Sequence, residues 1–509
     1  MKSLNKFFNS TQFVLTMSVI INLALFLVLS IFVGMYAYVA FGMVCALSFW
    51  FVTFFTPNQP HMRFTMALFM AILPLTACVI YSYLNVKRGK ASQRKLWKDI
   101  QFEMSENLPK NKDVYESLEK KSLEQVKLSK FIQAATKMPV YSNSQISYYS
   151  KSEPYNADLI KDLKEAKRSI LMDLFKVADS EIWDEVFAIL KDRRLNGVNI
   201  KLIYDDHGCV KSFKDRNLFE KMRNHGIETV CFNPLKGIGA FTHYRNKKNI
   251  FIIDEKVAYC SALGINDDLV LDTKISKMCA VKLTGEAIKS VFAEFYSDWR
   301  LFSKEEITWK NFNKEITQET KAKPDTYIQP FISTPFSNEF VSKNIYSCVI
   351  ANANKSIIIS TPYLLLDDEI RAEVIRAVRS GVEVKILIAG KGERTKKYKF
   401  ALSRHFFGKL IQEGVKIYSY ATDNLFNRCI VSDSRTVIIG GGAFDSRKMS
   451  VHFENGTLVH SEEFANQVKQ DIEATMEVSH LLTIKDMRQR RLSEKITART
   501  LNSFSQFYL

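Results

Sequence analysis

No two of the eight cysteines stand as Cys-x-x-Cys; they are scattered at positions 45, 78, 209, 231, 260, 279, 348 and 429. That spacing offers no zinc ribbon, no redox motif and no disulfide framework. Several of these thiols fall inside apolar strand-like runs, where they read as small buried residues on the reducing side of a membrane. No metal and no cofactor are expected. Acidic residues are in short supply as well: 54 Asp and Glu against 71 Lys and Arg leave a net charge of +17. Such an excess favours polyanionic partners, either anionic lipid or nucleic acid.

Charge is missing altogether from Phe13 to Val33 and from Tyr36 to Phe55. Each run has about 20 residues, enough to span a bilayer as a helix. Arg63 precedes a third apolar stretch, Phe64 to Leu84. The first run is too long for a cleaved signal peptide, and two more follow it. Residues 1–85 are thus expected to be a membrane anchor with two or three transmembrane helices. Directly after it comes the basic cluster Lys87, Arg88, Lys90, Arg94, Lys95 and Lys98. The cluster reads both as a topological signal that puts the globular part in the cytoplasm and as a patch for acidic headgroups. Its place beside the apolar runs argues for lipid and against nucleic acid.

Beyond a basic linker, 86–135, helical and strand patterns alternate. Ala157 to Lys167 reads as a helix, Ser169 to Phe175 as a strand, Ser180 to Leu195 as a helix and Val198 to Tyr204 as a strand. Asn344 to Ala353, Ser356 to Ser360, Asp368 to Ser380 and Val382 to Ile388 repeat that order. GVNIKLIYDD matches GVEVKILIAG, and GIETVCF matches GVKIYSY, at an offset of about one domain's length. Two α/β domains are expected, 136–303 and 326–485, joined by the charged segment 304–325 and followed by a basic tail, 486–509. One stretch occurs in each half: RNKKNIFIID, Arg245 to Asp254, and its echo NLFNRCIVSD, Asn424 to Asp433. Each runs from polar residues into a short continuous apolar strand that ends in aspartate, a pattern that suits strands covered on both faces.

This pair resembles the phospholipase D superfamily, whose motif is His-x-Lys-x4-Asp. The chain as a whole is similar to bacterial cardiolipin synthases. The likeness is carried by FNPLKG (Phe232 to Gly237), YRN (Tyr244 to Asn246), TPY (Thr361 to Tyr363) and FDSR (Phe444 to Arg447). It implies transmembrane helices followed by two tandem phospholipase-D-like α/β domains related by pseudo-twofold symmetry. It also implies a bacterial cell membrane location, multi-pass, with cytoplasmic globular domains. The motif itself has decayed. The histidine positions hold Lys247 and Phe426, the lysine positions hold Asn249 and Arg428, and only Asp254 and Asp433 remain.

In the family one histidine attacks phosphorus and the other protonates the leaving alcohol, work that suits a side chain with a pKa near ~6.5. Phe426 has no nucleophilic atom and carries no proton. Lys247 attacks only as a free amine, with an ordinary pKa of ~10.4, and Arg428 stays charged. His207, His243 and His452 have no partners at matching spacing in the other half. A catalytically degenerate member is therefore expected, one that binds anionic phospholipid such as phosphatidylglycerol or cardiolipin, or that modulates an active relative. The alternative is an active synthase with a rearranged site, joining two phosphatidylglycerols into cardiolipin and glycerol. Arg245, Lys247, Lys248, Asn249, Asn427 and Arg428 are the phosphate-binding candidates; they read equally as cations filling the mouth of a dead site. Asp254 and Asp433 are expected as structural partners of those cations.

Overall fold

A computed structural model describes residues 11–54, 70–85, 91–209, 217–234, 244–262, 264–265, 277–303, 323–337, 339–390, 397–421, 425–445 and 448–490, with 67, 309, 493–496 and 498 beside them. The chain divides into an N-terminal unit, which includes residues 1–90, and a larger one, which includes 91–234 and 244–505.

The N-terminal unit contains helices Thr11–Phe32, Met35–Phe54 and Pro74–Asn85. Gly34, in the left-handed region at φ 97°, makes the sharp turn between the first two. Asn22, fully buried, donates its amide to Thr76 Oγ1 at 2.6 Å and accepts from the Leu75 amide at 3.3 Å. The expected transmembrane anchor is not upheld: among the described residues, no helix is long and apolar enough to cross a membrane. The third helix starts only at Pro74 and is 12 residues long.

The larger unit is built on two sheets. The first contains β1 (Ser144–Lys151), β2 (Ser169–Leu174), β3 (Asn199–Asp205), β4 (Glu228–Phe232), β5 (Asn249–Ile253), β6 (Val257–Ser261) and β7 (Lys277–Gly285). Their spatial order is β1-β7-β6-β5-β2-β3-β4. The second contains β8 (Tyr327–Ser333), β9 (Ser356–Thr361), β10 (Glu383–Ala389), β11 (Lys416–Tyr420), β12 (Cys429–Ser432), β13 (Thr436–Gly440), β14 (Glu454–His460) and β15 (His480–Leu481). Their order is β8-β14-β13-β12-β9-β10-β11-β15. Apart from the terminal β15 the two orders are the same, strand for strand. Each is parallel through β2-β3-β4 or β9-β10-β11 and antiparallel elsewhere. The duplicated α/β architecture read from sequence is present.

Period-two alternation explains the continuous apolar motif strands. Ile250 and Ile252, like Cys429 and Val431, belong to the central cluster shared by both halves. Phe251 and Ile253 face an outer cluster of the first half, and Ile430 an outer cluster of the second. Both faces of each motif strand are therefore dry. Between the sheets lies the helix Ile288–Phe302, which buries Val291, Phe292, Phe295, Tyr296 and Trp299. Residues read from sequence as the linker 86–135 form the helices Ala91–Asn107, Lys112–Lys121 and Leu123–Thr136 from residue 91 onward. Trp97, Ile100 and Met104 of the first of these are buried in the same central cluster.

His460, at the end of β14, is buried between Ser129 Oγ (3.2 Å from Nε2) and Thr436 Oγ1 (3.0 Å from Nδ1). Burial pushes its pKa down to about 3. The unfolded imidazole takes a proton near pH 6.5 and the folded one does not. Its stabilising contribution is thus complete above pH 6.5 and is lost as pH falls toward 3, costing about 2 kcal/mol between pH 6.5 and 5. His460→Gln is expected to flatten this acid limb, read as a smaller drop in Tm between pH 7 and pH 5 than the wild type shows. An equal drop in both proteins would refute it.

Candidate functional site

The strand β5 opens from a polar lead-in that crosses to the other half. The Lys247 amide donates to the Phe453 carbonyl at 2.8 Å, and the Phe453 amide to the Arg245 carbonyl at 3.0 Å. Reciprocally, the Phe426 amide ahead of β12 donates to the Lys277 carbonyl at 2.8 Å. The isolated bridges Asn246–Phe453 and Lys277–Leu425 mark the same two joints. The lead-in to each motif strand is therefore held by backbone of the opposite half.

At the first histidine position, the Lys247 ammonium lies 3.2 Å from the centroid of the Phe175 ring, a cation–π contact. At the second, the Phe426 ring packs against the first half's outer cluster, which contains Leu174, Val177 and Ile265. An apolar ring thus occupies the place of an acid–base group and leans across onto the opposite half. Arg428, at the second lysine position, pairs with Glu454 at 3.2 Å. Asn249, at the first, is 2 % exposed. Its carbonyl accepts from the Phe175 amide at 3.2 Å, and its amide reaches the Ser261 carbonyl at 3.5 Å. Gly264 is needed beside it: a Cβ there would meet the Lys176 carbonyl at 2.1 Å and Asn249 Oδ1 at 3.0 Å.

The other candidates are turned inward. Arg245 lies 3.6 Å from Asp205 Oδ1 and donates to the Asn233 carbonyl at 3.2 Å. Asp205 also accepts from the amides of His207, Gly208 and Asn246 at 2.9, 3.0 and 3.0 Å. Burial pushes its carboxyl pKa up against the pull of the guanidinium. Lys248 is fully buried, and its ammonium sits among Asp173 (3.3 Å), Glu294 (3.6 Å) and Asp298, a close pair. These are ion pairs in contact, without aligned hydrogen bonds. Burial raises Asp173 to about 7 and lifts Glu294 well above the usual carboxylate range, while the surrounding acids hold Lys248 protonated. Asn246 completes the cluster by donating its side-chain amide to Asp173. Asn427, the counterpart of Lys248, is 1 % exposed, and neither end of its amide has a hydrogen-bond partner among the described residues.

The surviving aspartates lie at the far ends of the strands, five residues or about 16 Å from Asn249 and Arg428. Asp254 and Glu255 both have positive φ, as do Asp433 and Ser434. The Lys256 amide closes on the Ile253 carbonyl at 2.9 Å, and Arg435 on Ser432 at 3.0 Å. Each pair forms a tight hairpin turn of the left-handed kind that suits strand twist and tolerates aspartate. The Asp254 carboxylate accepts from the amides of Lys167, Arg168 and Ser169 at 2.9, 2.7 and 3.0 Å. Asp433 accepts from Asn354, Lys355 and Ser356 at 2.9, 2.7 and 2.9 Å. They cap the starts of β2 and β9 and do not pair with the motif cations, as the sequence reading had supposed. A groove of about 100 Å³ bordered by Gln125, Lys355, Asp433 and His460 lies at this same far end.

His452 is buried immediately before Phe453. His207 follows Asp205 at the end of β3, and its amide donates to the Asp205 carboxylate. His243 lies outside the described residues. Sequence reading passed over Asp173, Asp205, Glu294, Asp298 and Glu454. A lone acid inside the apolar strand SILMDL was the available signal for Asp173.

Two sheets of matched strand order, bridged at the lead-ins to their motif strands, make a phospholipase-D-like fold. A crystal structure of phosphatidylserine synthase from Haemophilus influenzae shares it, with a TM-score of 0.56 at 15% identity over 75% of this chain and 98% of that one. Residues 346–476 match the family described as cardiolipin synthase, PLD-like domain. A cardiolipin synthase of Alkalihalophilus pseudofirmus is 25% identical over 88% of this chain and 89% of its own. An uncharacterised protein of Streptococcus mutans is 26% identical over 72% of this chain and 80% of its own. The chain resembles the phospholipase D superfamily and, within it, the bacterial cardiolipin synthases.

Proposed function

We propose that this chain is a cardiolipin-synthase-like protein of bacterial phospholipid metabolism that no longer transfers phosphatidyl groups. It works at the membrane surface by associating with an active relative or with anionic phospholipid such as phosphatidylglycerol or cardiolipin. Its working halves are taken as 136–303 and 326–485. The observation that carries this reading is Phe426, an apolar ring at a histidine position packed against the opposite half. The transfer needs a proton carrier there, and a phenyl group supplies none.

Charge within the old cleft supports association with a relative over binding of a phosphodiester at the motif. Arg245, Lys248 and Arg428 each lie against a carboxylate of this chain. An incoming phosphate would compete with Asp205, Asp173 and Glu454, all at least 97 % buried. Lys247 rests on the ring of Phe175, and its charge also acts on the buried Asp205 carboxylate.

The test is lipid analysis of cells that lack every other cardiolipin synthase and express only this chain. No cardiolipin is expected. Coexpression with an active synthase is expected to change the cardiolipin level that the synthase alone produces. The second reading, an active enzyme with a rearranged site, draws on His452 beside the joint between Phe453 and Arg245. Cardiolipin in the first strain that disappears on His452→Ala would establish it and overturn the proposal.

A further inference from the structure

Cys279 and Cys429 belong to different halves. Cys279 lies on β7 of the first sheet and Cys429 on β12 of the second, and their sulfurs are 3.4 Å apart. They are 1 % and 0 % exposed, within the cluster both halves share. The duplication does not generate this pair: the counterpart of Cys429 in the first half is Ile250, one residue after Asn249 as Cys429 is after Arg428. We propose that Cys279 and Cys429 are a modification site, a thiol pair that closes to a disulfide under peroxide and fastens the second motif strand to the first sheet. The inference is independent of whether the chain retains activity.

The position of the pair gives the link its consequence. Cys429 directly follows Arg428, and Phe426 lies three residues before it. Cys279 is two residues beyond Lys277, whose carbonyl already holds the Phe426 amide at 2.8 Å. A covalent bond here would lock the strand that follows both decayed positions to the half it packs against. Closing the gap from 3.4 Å to a bonded length of about 2.05 Å needs about 1.4 Å of sulfur movement, within reach of small side-chain rotations.

A polar thread connects the thiols with the surface. The Tyr148 hydroxyl lies 3.6 Å from Cys279 Sγ and donates to Asp471 Oδ2 at 3.1 Å. Asp471 pairs with Lys277 at 2.8 Å, and both side chains are partly exposed. In the first step the Cys279 sulfur attacks one peroxide oxygen; the O–O bond breaks, leaving a sulfenic acid, and the departing hydroxide takes the thiol proton as water. The Cys429 sulfur then attacks the sulfenic sulfur, the S–O bond breaks, and the hydroxyl leaves with the second thiol proton as another water. Two thiols have lost two electrons and one peroxide has gained them. The contact with Cys279, together with burial, raises the Cys429 pKa, so the pair reacts slowly compared with an exposed thiolate.

The experiment uses the purified full-length chain, incubated with hydrogen peroxide or with dithiothreitol, then denatured, alkylated and digested without reduction. The expected result is a Cys279–Cys429 linked peptide in the peroxide sample, absent after dithiothreitol and absent from Cys429→Ala. Should that variant fail to fold, Cys279→Ala serves the same purpose. Exposed Cys78 reports that oxidant reached the protein. Oxidised Cys78 without the linked peptide overturns the proposal, as does a peptide that joins Cys279 to any other cysteine.

Discussion

Replacing Lys248 with methionine is expected to destabilise the protein by about 3–5 kcal/mol, the range for removing one partner of a buried ion pair. The methionine fits the space but leaves Asp173, Glu294 and Asp298 enclosed without their cation. The variant should show a distinctive pH dependence. Asp173 already has a folded pKa of about 7, above its unfolded value, because burial opposes its charge. A carboxyl raised in this way stabilises fully below its unfolded pKa of ~3.9, and that contribution is lost as pH rises through about 7. Glu294, also raised, acts in the same direction. Without Lys248, protons become the only neutralising charge, so the deficit should be largest at pH 8 and shrink at pH 5. Denaturant midpoints of wild type and variant at the two pH values check this. A deficit below about 1 kcal/mol, or one equal at both pH values, would show that the ammonium does not balance the cluster.

Asp254→Ala and Asp433→Ala are each expected to cost about 2–4 kcal/mol, because each removes a charged acceptor shared by three backbone amides. Alanine also fits poorly at φ 52° and 53°. Asparagine keeps one acceptor oxygen and tolerates the left-handed backbone, so Asp→Asn at either site should lose roughly half as much. The comparison separates a structural from a catalytic role. A purely catalytic aspartate would lose little stability in either variant, and thermal melts of the four proteins decide it.

These two results bear on why the motif decayed unevenly. Its aspartates sit in hairpin turns and fasten the neighbouring strand, so losing them would loosen the sheet whether or not the protein is an enzyme. The histidine and lysine positions lie at the other end, where the halves meet. There Lys247 rests on a ring, Phe426 packs, and Asn249 stitches backbone. The residues now at that end are accommodated within the two matched sheets.

The sequence alone was enough to identify the duplication, the α/β alternation and the positions of both motif strands. Period-two burial, glycine-terminated helices and short apolar runs are local signals. The helix Glu181–Leu195 starts one residue inside the bounds its sequence pattern predicts, and Ser169–Leu174 ends one residue short of them. The vacant histidine positions were also visible, since motif spacing is counted along the chain. Tertiary structure decided the partners. Lys248 lies among phosphate-binding candidates in sequence, yet it is sealed against acids from β2 and the helix Ile288–Phe302. Asp254 looked like a companion of the nearby cations, yet strand direction carries it about 16 Å away to the backbone of residues 167–169. The apolar N-terminal runs suggested a spanning anchor, an expectation that the described helices do not meet. Charge pairing and the joining of two halves depend on which distant segments pack together, and one-dimensional spacing does not encode that.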